Sequence, residues 1–233
     1  MLHAKDVAEA SFNSASALVR SLVPDKPVFI PRFPASIPRI LCWVPLRRPN
    51  DTERSMIVES WYDECDKLVF LSRNANDSLL VTSHNYSITH RHDLWNIVHR
   101  GWALMYTTTE WHQYDYFIKI DTDTYFSGYN FKNLVARLKL NASDPQYLGH
   151  IDYHKPPSKF ALGLAIAISR GTLLALGPHL PTVPSSAKKC EAKINWAEDW
   201  EFYKCLQRFG LSKVRCMFFF LFGDELIQTW WRG

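Results

Sequence analysis

Tyr116-Phe117-Ile118-Lys119-Ile120-Asp121-Thr122-Asp123-Thr124-Tyr125 is the stretch on which the reading of this chain turns. Its apolar run, residues 114–120, has strand length and passes directly into two carboxylates two residues apart. Continuous apolar runs fit strands buried on both faces of a parallel sheet. In open α/β sheets, ligands bind beyond the carboxyl ends of the strands. Two Asp side chains at such an end repel each other unless a cation or donors neutralise them. A divalent metal bridging to a diphosphate does this, and hard carboxylate oxygens suit Mn²⁺ or Mg²⁺. Such a metal acts as a Lewis acid on a departing nucleotide diphosphate. The competing reading of the triplet alone is a solvated Asx-type turn after a strand.

Working outward, similar apolar runs occupy residues 40–44 (ending at Pro45), 67–71 and, more briefly, 79–82. Asp51 or Thr52 is placed to cap a helix running to about residue 64. Residues 93–112 carry Leu94, Ile97, Val98, Trp102, Met105 and Tyr106 at helical spacing. Beyond the acidic triplet, helices are expected over 129–139, 171–177 (with Gly177 as a stop) and 196–209 (ending at Gly210). Strands are expected over 147–149, 160–169 and 213–222. Apolar strands alternating with amphipathic helices predict an α/β fold with a mostly parallel central sheet flanked by helices.

Composition narrows the function classes. The chain has 233 residues, 47% of them apolar or aromatic, which is enough for one substantial core. Residues 1–38 carry Pro24, Pro27, Pro31, Pro34 and Pro38, so they read as a stem or linker, with the compact domain at 39–233. A net charge of +4 suits a phosphate-bearing small ligand and is too weak to argue for nucleic acid. Aromatics are 14% of the chain, with nine Trp; sugar sites stack pyranose faces on such rings, although core packing accounts for most of them. None of the five Cys lies in a CxxC pair, which argues against a structural zinc site. Sequons begin at Asn50, Asn76, Asn85 and Asn141 and point to a secretory-pathway lumen, where disulfides also form. No apolar run reaches the ~18–20 residues of a membrane span, and the N-terminus is not a clear signal peptide.

A second acidic group lies in Trp196-Ala197-Glu198-Asp199-Trp200-Glu201. Acids at a helix start stabilise its positive end, and that explanation is common. The functional alternative is a general base: one carboxylate takes a proton from an acceptor hydroxyl as it attacks a sugar anomeric carbon.

Taken in order, these blocks resemble the Fringe-like β1,3-glycosyltransferases, and within them the core 1 β1,3-galactosyltransferases. The resemblance runs through Ile40-Leu41-Cys42-Trp43-Val44, then Glu59-Ser60-Trp61 with Cys65-Asp66-Lys67-Leu68-Val69-Phe70. It continues through the Asp115–Tyr125 segment, Asn133-Leu134, Lys189-Cys190, Ala197-Glu198-Asp199 and Lys204-Cys205. It implies a GT-A, Rossmann-like fold, a UDP-sugar donor, Mn²⁺ and inversion at the anomeric carbon. Asp123 matches the metal-coordinating acid, and Asp121 an acid near the donor ribose and metal-bound water, counted with it as a metal residue. Val44 and Asp93 match further nucleotide-sugar contacts, and Asp199 the catalytic base. Cys42–Cys65 and Cys190–Cys205 are the implied disulfides, leaving Cys216 unpaired. The implied reaction moves galactose from UDP-galactose to the 3-hydroxyl of GalNAc on Ser/Thr-linked glycoproteins. The implied setting is the Golgi lumen, in a type II membrane protein, with a homodimer as the expected assembly.

Departures from the pattern support alternatives. Thr122 replaces the middle acid, Ala161-Leu162-Gly163-Leu164-Ala165-Ile166 replaces a glycine-rich segment, Phe202-Tyr203 replaces a small residue, and Asn96 stands where a Lys is usual. The family's metal-completing His has no match after His179, so water, His150 or His154 is expected to substitute, or the chain to be C-terminally shortened. A non-catalytic, chaperone-like lumenal relative and a β1,3-transferase of another sugar are the two rival expectations.

Overall fold

The computed structural model describes residues 37–46, 51–72, 80–82, 93–107, 110–151, 160–180, 190 and 197–216. All but the last two residues of the expected stem lie outside them, as does His154.

Among the described residues, seven strands form one sheet: β1 (Ile40–Pro45), β2 (Lys67–Ser72), β3 (Leu80–Thr82), β4 (Tyr116–Ile120), β5 (Tyr147–Ile151), β6 (Ala161–Ser169) and β7 (Val214–Cys216). Their order is β3-β2-β1-β4-β6-β5-β7. Pairing is parallel throughout except for β6, which runs antiparallel to both β4 and β5. The helices described beside it are α1 (Asp51–Trp61), α2 (Asp93–Thr107), α3 (Gly128–Arg137), α4 (Arg170–Leu176) and α5 (Glu198–Arg208). The α/β fold with a mostly parallel sheet is therefore present as expected.

Side-chain alternation along the strands divides the core into two layers. Leu41, Trp43, Val69, Leu71, Phe117, Ile166 and Ile168 face one side, where Trp102 of α2, Leu173 of α4 and Phe202 of α5 cover them. Ile40, Cys42, Val44, Phe70, Tyr116, Ile118 and Ile120 face the other, against Ile57 and Trp61 of α1 and Phe131 and Val135 of α3. Such alternation follows from the two-residue period of a strand. Burying each of these large side chains contributes about 1.5–3 kcal/mol.

One packing chain bears directly on the site. Trp102 meets Trp43 edge-on at 5.1 Å and stacks on Phe202 at 4.9 Å. Aromatic pairs of these geometries add about 0.5–1.5 kcal/mol beyond their buried area. Phe202 thus packs α5 against Trp102 of α2 and, edge-on at 6.1 Å, against Tyr147 of β5.

Some boundaries differ from the sequence reading. The helix expected over 93–112 stops at Thr107, and residues 111–113 form a separate 3₁₀ turn. Thr107, Thr108 and Thr109 are β-branched and favour leaving the helix. Gly177 does not end α4 in a left-handed conformation; its φ is −52° and it opens a 3₁₀ turn, Gly177–His179. Its lack of a side chain is required instead by the Tyr106 ring, which a Cβ would approach to 2.0 Å. Gly210, at φ +70°, does provide the expected stop after α5. Of the strand expected over 213–222, residues 214–216 are described as strand and those beyond lie outside the described set. Both implied disulfides form, Cys42–Cys65 and Cys190–Cys205, with Cα separations of 6.0 and 4.9 Å.

Candidate active site

The site forms where β4 ends. The backbone N–H of Asp121 donates to Leu164 O of β6 at 3.0 Å, which carries the sheet pairing one residue past the strand. The chain then turns, with the Thr124 N–H donating to Asp121 O at 3.2 Å. Thr122 and Asp123 form the tip of that turn, which is closed between backbone groups and not by an Asp side chain. Asp123 is exposed at the tip, whereas Asp121 is half-buried beneath it. Tyr125 (46% exposed), two residues past Asp123, and Leu164 (38%), whose carbonyl accepts from the Asp121 N–H, are exposed apolar side chains of the same segments.

Lys119 gives the site its character. It belongs to β4 and is fully buried, and it faces the α5 side of the sheet because it alternates with Ile118 and Ile120 on the other. Its Nζ donates to Asp121 Oδ1 at 2.5 Å, to Gly163 O at 2.8 Å and to Glu198 Oε1 at 3.1 Å. Three acceptors match the three N–H donors of an ammonium. Burial of a lone charge is costly, and a paired, fully hydrogen-bonded one is the form in which proteins retain it.

Asp199 stands in the first turn of α5 and is 8% exposed. Its Oδ2 accepts from the Gly163 N–H at 3.1 Å and its Oδ1 from the Trp200 N–H at 2.7 Å. Each carboxylate oxygen retains a further lone pair. Burial pushes its carboxyl above the ordinary Asp range, with the neighbouring Glu198 charge adding to the effect, against the two N–H bonds and Lys119. Asp121 is also raised, first by burial and then by Glu198 and Asp123, with Lys119 opposing. A carboxylate whose pKa moves toward neutrality is better matched to accepting a proton at working pH.

The structure thus brings Asp121 and Asp199 to one cluster, joined through Lys119 and Gly163, with Asp123 next to it. Val44 lies in β1, one residue past Trp43, the register partner of Lys119; its side chain is fully buried in the layer facing α1 and α3. Asp93 is the first residue of α2. His150 lies in β5. Among the described residues, no three His, Cys, Asp or Glu side chains converge in a way that holds a metal ion. Sequence reading missed Lys119 and Glu198 as members of the site. The available signal was a charged residue inside an otherwise apolar strand, two positions before the acidic triplet.

No family model matches the chain. Among solved structures, the chain is similar to one described as a glycosyltransferase involved in the glycosylation of the major capsid of PBCV-1. The identity is 15% and the TM-score 0.38, over 59% of this chain and 62% of that one, so the match spans less than two thirds of either protein.

Proposed function

We propose that this chain is an inverting, metal-dependent glycosyltransferase of GT-A type, transferring galactose from UDP-galactose to the 3-hydroxyl of GalNAc on glycoproteins. The observation that supports it is the pairing, within one cluster, of an acidic strand-end turn with a buried carboxylate of raised pKa on a separate helix. Asp199 is the base. It takes the proton of the acceptor hydroxyl as that oxygen bonds to the anomeric carbon, while the bond from that carbon to the diphosphate oxygen breaks and the diphosphate leaves with the electron pair. Inversion needs one such base and no covalent nucleophile.

The donor atoms suit a hard divalent cation. Asp123 is exposed at the turn tip and Asp121, two residues before it, is half-buried and paired with Lys119; among the described residues no third His, Cys, Asp or Glu converges with them, so these two would be the protein's carboxylate ligands. Asp123, with Asp121 beside it, would hold Mn²⁺, leaving the remaining positions to phosphate oxygens and water. When bound there, the ion supplies Lewis-acid stabilisation of the leaving diphosphate. The two disulfides fit an oxidising lumen, and among the described residues no helix is long and apolar enough to cross a membrane.

UDP-galactose turnover on a GalNAc-peptide, with and without Mn²⁺, tests the reading. Metal-dependent transfer is expected, and its absence would leave the non-catalytic lumenal relative as the better reading. Transfer from another UDP-sugar would keep the mechanism and change the donor. Asp123→Asn should abolish metal-dependent UDP binding. Asp199→Asn should retain that binding and lose transfer; a fully active Asp199→Asn would remove the base assignment.

A further inference from the structure

Residue 163 touches both halves of the cluster with its backbone. Its N–H donates to Asp199 Oδ2 at 3.1 Å and its C=O accepts from Lys119 Nζ at 2.8 Å. Lys119 in turn holds Asp121 and Glu198, the residue preceding Asp199. One residue of β6 therefore links the end of β4 to the first turn of α5. Its partners leave no room for a side chain: a Cβ on Gly163 would lie 2.7 Å from Glu198 Oε1, 3.3 Å from Asp121 Oδ2 and 3.4 Å from Lys119 Nζ. Gly163 has no positive φ, so backbone freedom is not what the glycine provides. The missing side chain is the reason for it, because it lets the backbone of residue 163 lie against Glu198, Asp121 and Lys119.

We infer that Gly163 and Lys119 form a positioning strut that sets the separation between the donor-side carboxylates, Asp121 and Asp123, and the base Asp199. The inference rests on the transferase reading above and names which residues hold its base in register. Neither strut residue touches the reacting atoms. Gly163 aims Asp199 through its N–H, and Lys119 ties Glu198, and with it the start of α5, to the end of β4. Misplacing a catalytic group by about 1 Å, even from a distance, can cost about a hundredfold in rate.

Gly163→Ala is the direct probe. The atom its Cβ meets first is the far end of a flexible Glu side chain, so the fold is expected to survive while the Glu198 carboxylate leaves Lys119. The expected result is a loss of about a hundredfold in kcat, with the KM for UDP-galactose and the Mn²⁺ affinity, read by electron paramagnetic resonance, unchanged. Shortening the displaced side chain in Gly163→Ala/Glu198→Asp should recover part of that kcat. Wild-type kcat in Gly163→Ala would overturn the strut, as would equal losses in kcat and Mn²⁺ affinity, or a double variant no better than the single. Hydrogen exchange provides a readout independent of turnover: the Gly163 amide should be protected in the wild-type chain and exchange faster in Asp199→Ala. An inactive wild-type chain would sink the transferase reading by itself. Unchanged protection of that amide in Asp199→Ala would sink the strut whether or not the chain is active.

Discussion

Lys119 carries its charge where no water reaches it, and the cost of that placement is offset only while its partners remain. Removing the ammonium leaves Asp121 and Glu198 facing each other in a poorly solvated site. Breaking a buried pair by deleting one partner typically costs about 3–5 kcal/mol. Lys119→Met should therefore lower stability by about that amount in urea unfolding, and Lys119→Met/Glu198→Gln by clearly less. Equal losses in the two variants would mean that the pairing is not what stabilises the site. His99 of α2 presents a second buried group with the opposite problem. Its ring lies beside Trp95, its Nε2 has no hydrogen-bond partner among the described residues, and burial lowers its pKa to about 4. The unfolded chain takes up a proton near pH 6.5 while the folded chain resists it until about pH 4. Stability is thus complete above the unfolded value and falls as pH drops through that window, by about 3 kcal/mol. Asp121 and Asp199 act in the other sense, because raised carboxyls bind protons more readily in the folded state and favour folding as pH falls. The His99 contribution is therefore read as the difference between wild type and His99→Leu. That difference should shrink between pH 6.5 and 4, and a constant difference would rule out this histidine as the source. For the same reason, the acid limb of kcat/KM should lie above the ordinary Asp range and report Asp199.

Elements, rather than single residues, explain which parts of the site were legible beforehand. The run through β4 into Asp121 and Asp123 was readable because strand, turn and acids are contiguous. Asp199 was readable because acids crowd one helix start. The Lys119–Gly163 connection was not, because it depends on β6 lying beside β4 and running against it, and an apolar run carries no sign of strand direction. Phe202 reads in the sequence as a departure from a pattern, and in the fold it packs α5 against Trp102 of α2 and Tyr147 of β5. That helix attachment can be tested away from the acids. Trp102→Ala removes the ring between Trp43 and Phe202 and should cost about 3–5 kcal/mol, with kcat falling as α5 loosens. At the start of α3, Ser127 accepts from the Asn130 N–H at 3.3 Å, and Ser127→Ala should cost about 1 kcal/mol in thermal unfolding without altering transfer. Gly128, the next residue, admits no side chain: a Cβ would lie 1.7 Å from the Glu64 carbonyl oxygen. Gly128→Ala should accordingly be far more damaging than Ser127→Ala, and similar costs would argue against that close approach.

At the scale of the whole molecule, the disulfides add stability that the packing alone does not supply. Cys42–Cys65 and Cys190–Cys205 close loops with sequence separations of 23 and 15, each stabilising by about 3 kcal/mol through the unfolded chain. Reduction should lower Tm in two separable steps when each pair is replaced in turn by Ser. The Cys190–Cys205 replacement should also reduce transfer, because Cys205 lies in α5 with Asp199; equal effects of the two pairs on transfer would contradict that. The reversed strand has a consequence of another kind, for the order in which the chain can assemble. β4 and β5 leave the ribosome before β6, yet in the sheet β6 lies between them. Until it arrives, β4 has an open apolar edge on one side, and β5 has neither of its neighbours, since β7 comes later still. Such edges are templates for pairing with other chains, and long-range pairings close slowly. The strand that brings Gly163 to the site is thus also the wedge that completes the sheet, so a nascent chain halted before residue 161 would carry its acidic turn on an open, association-prone edge.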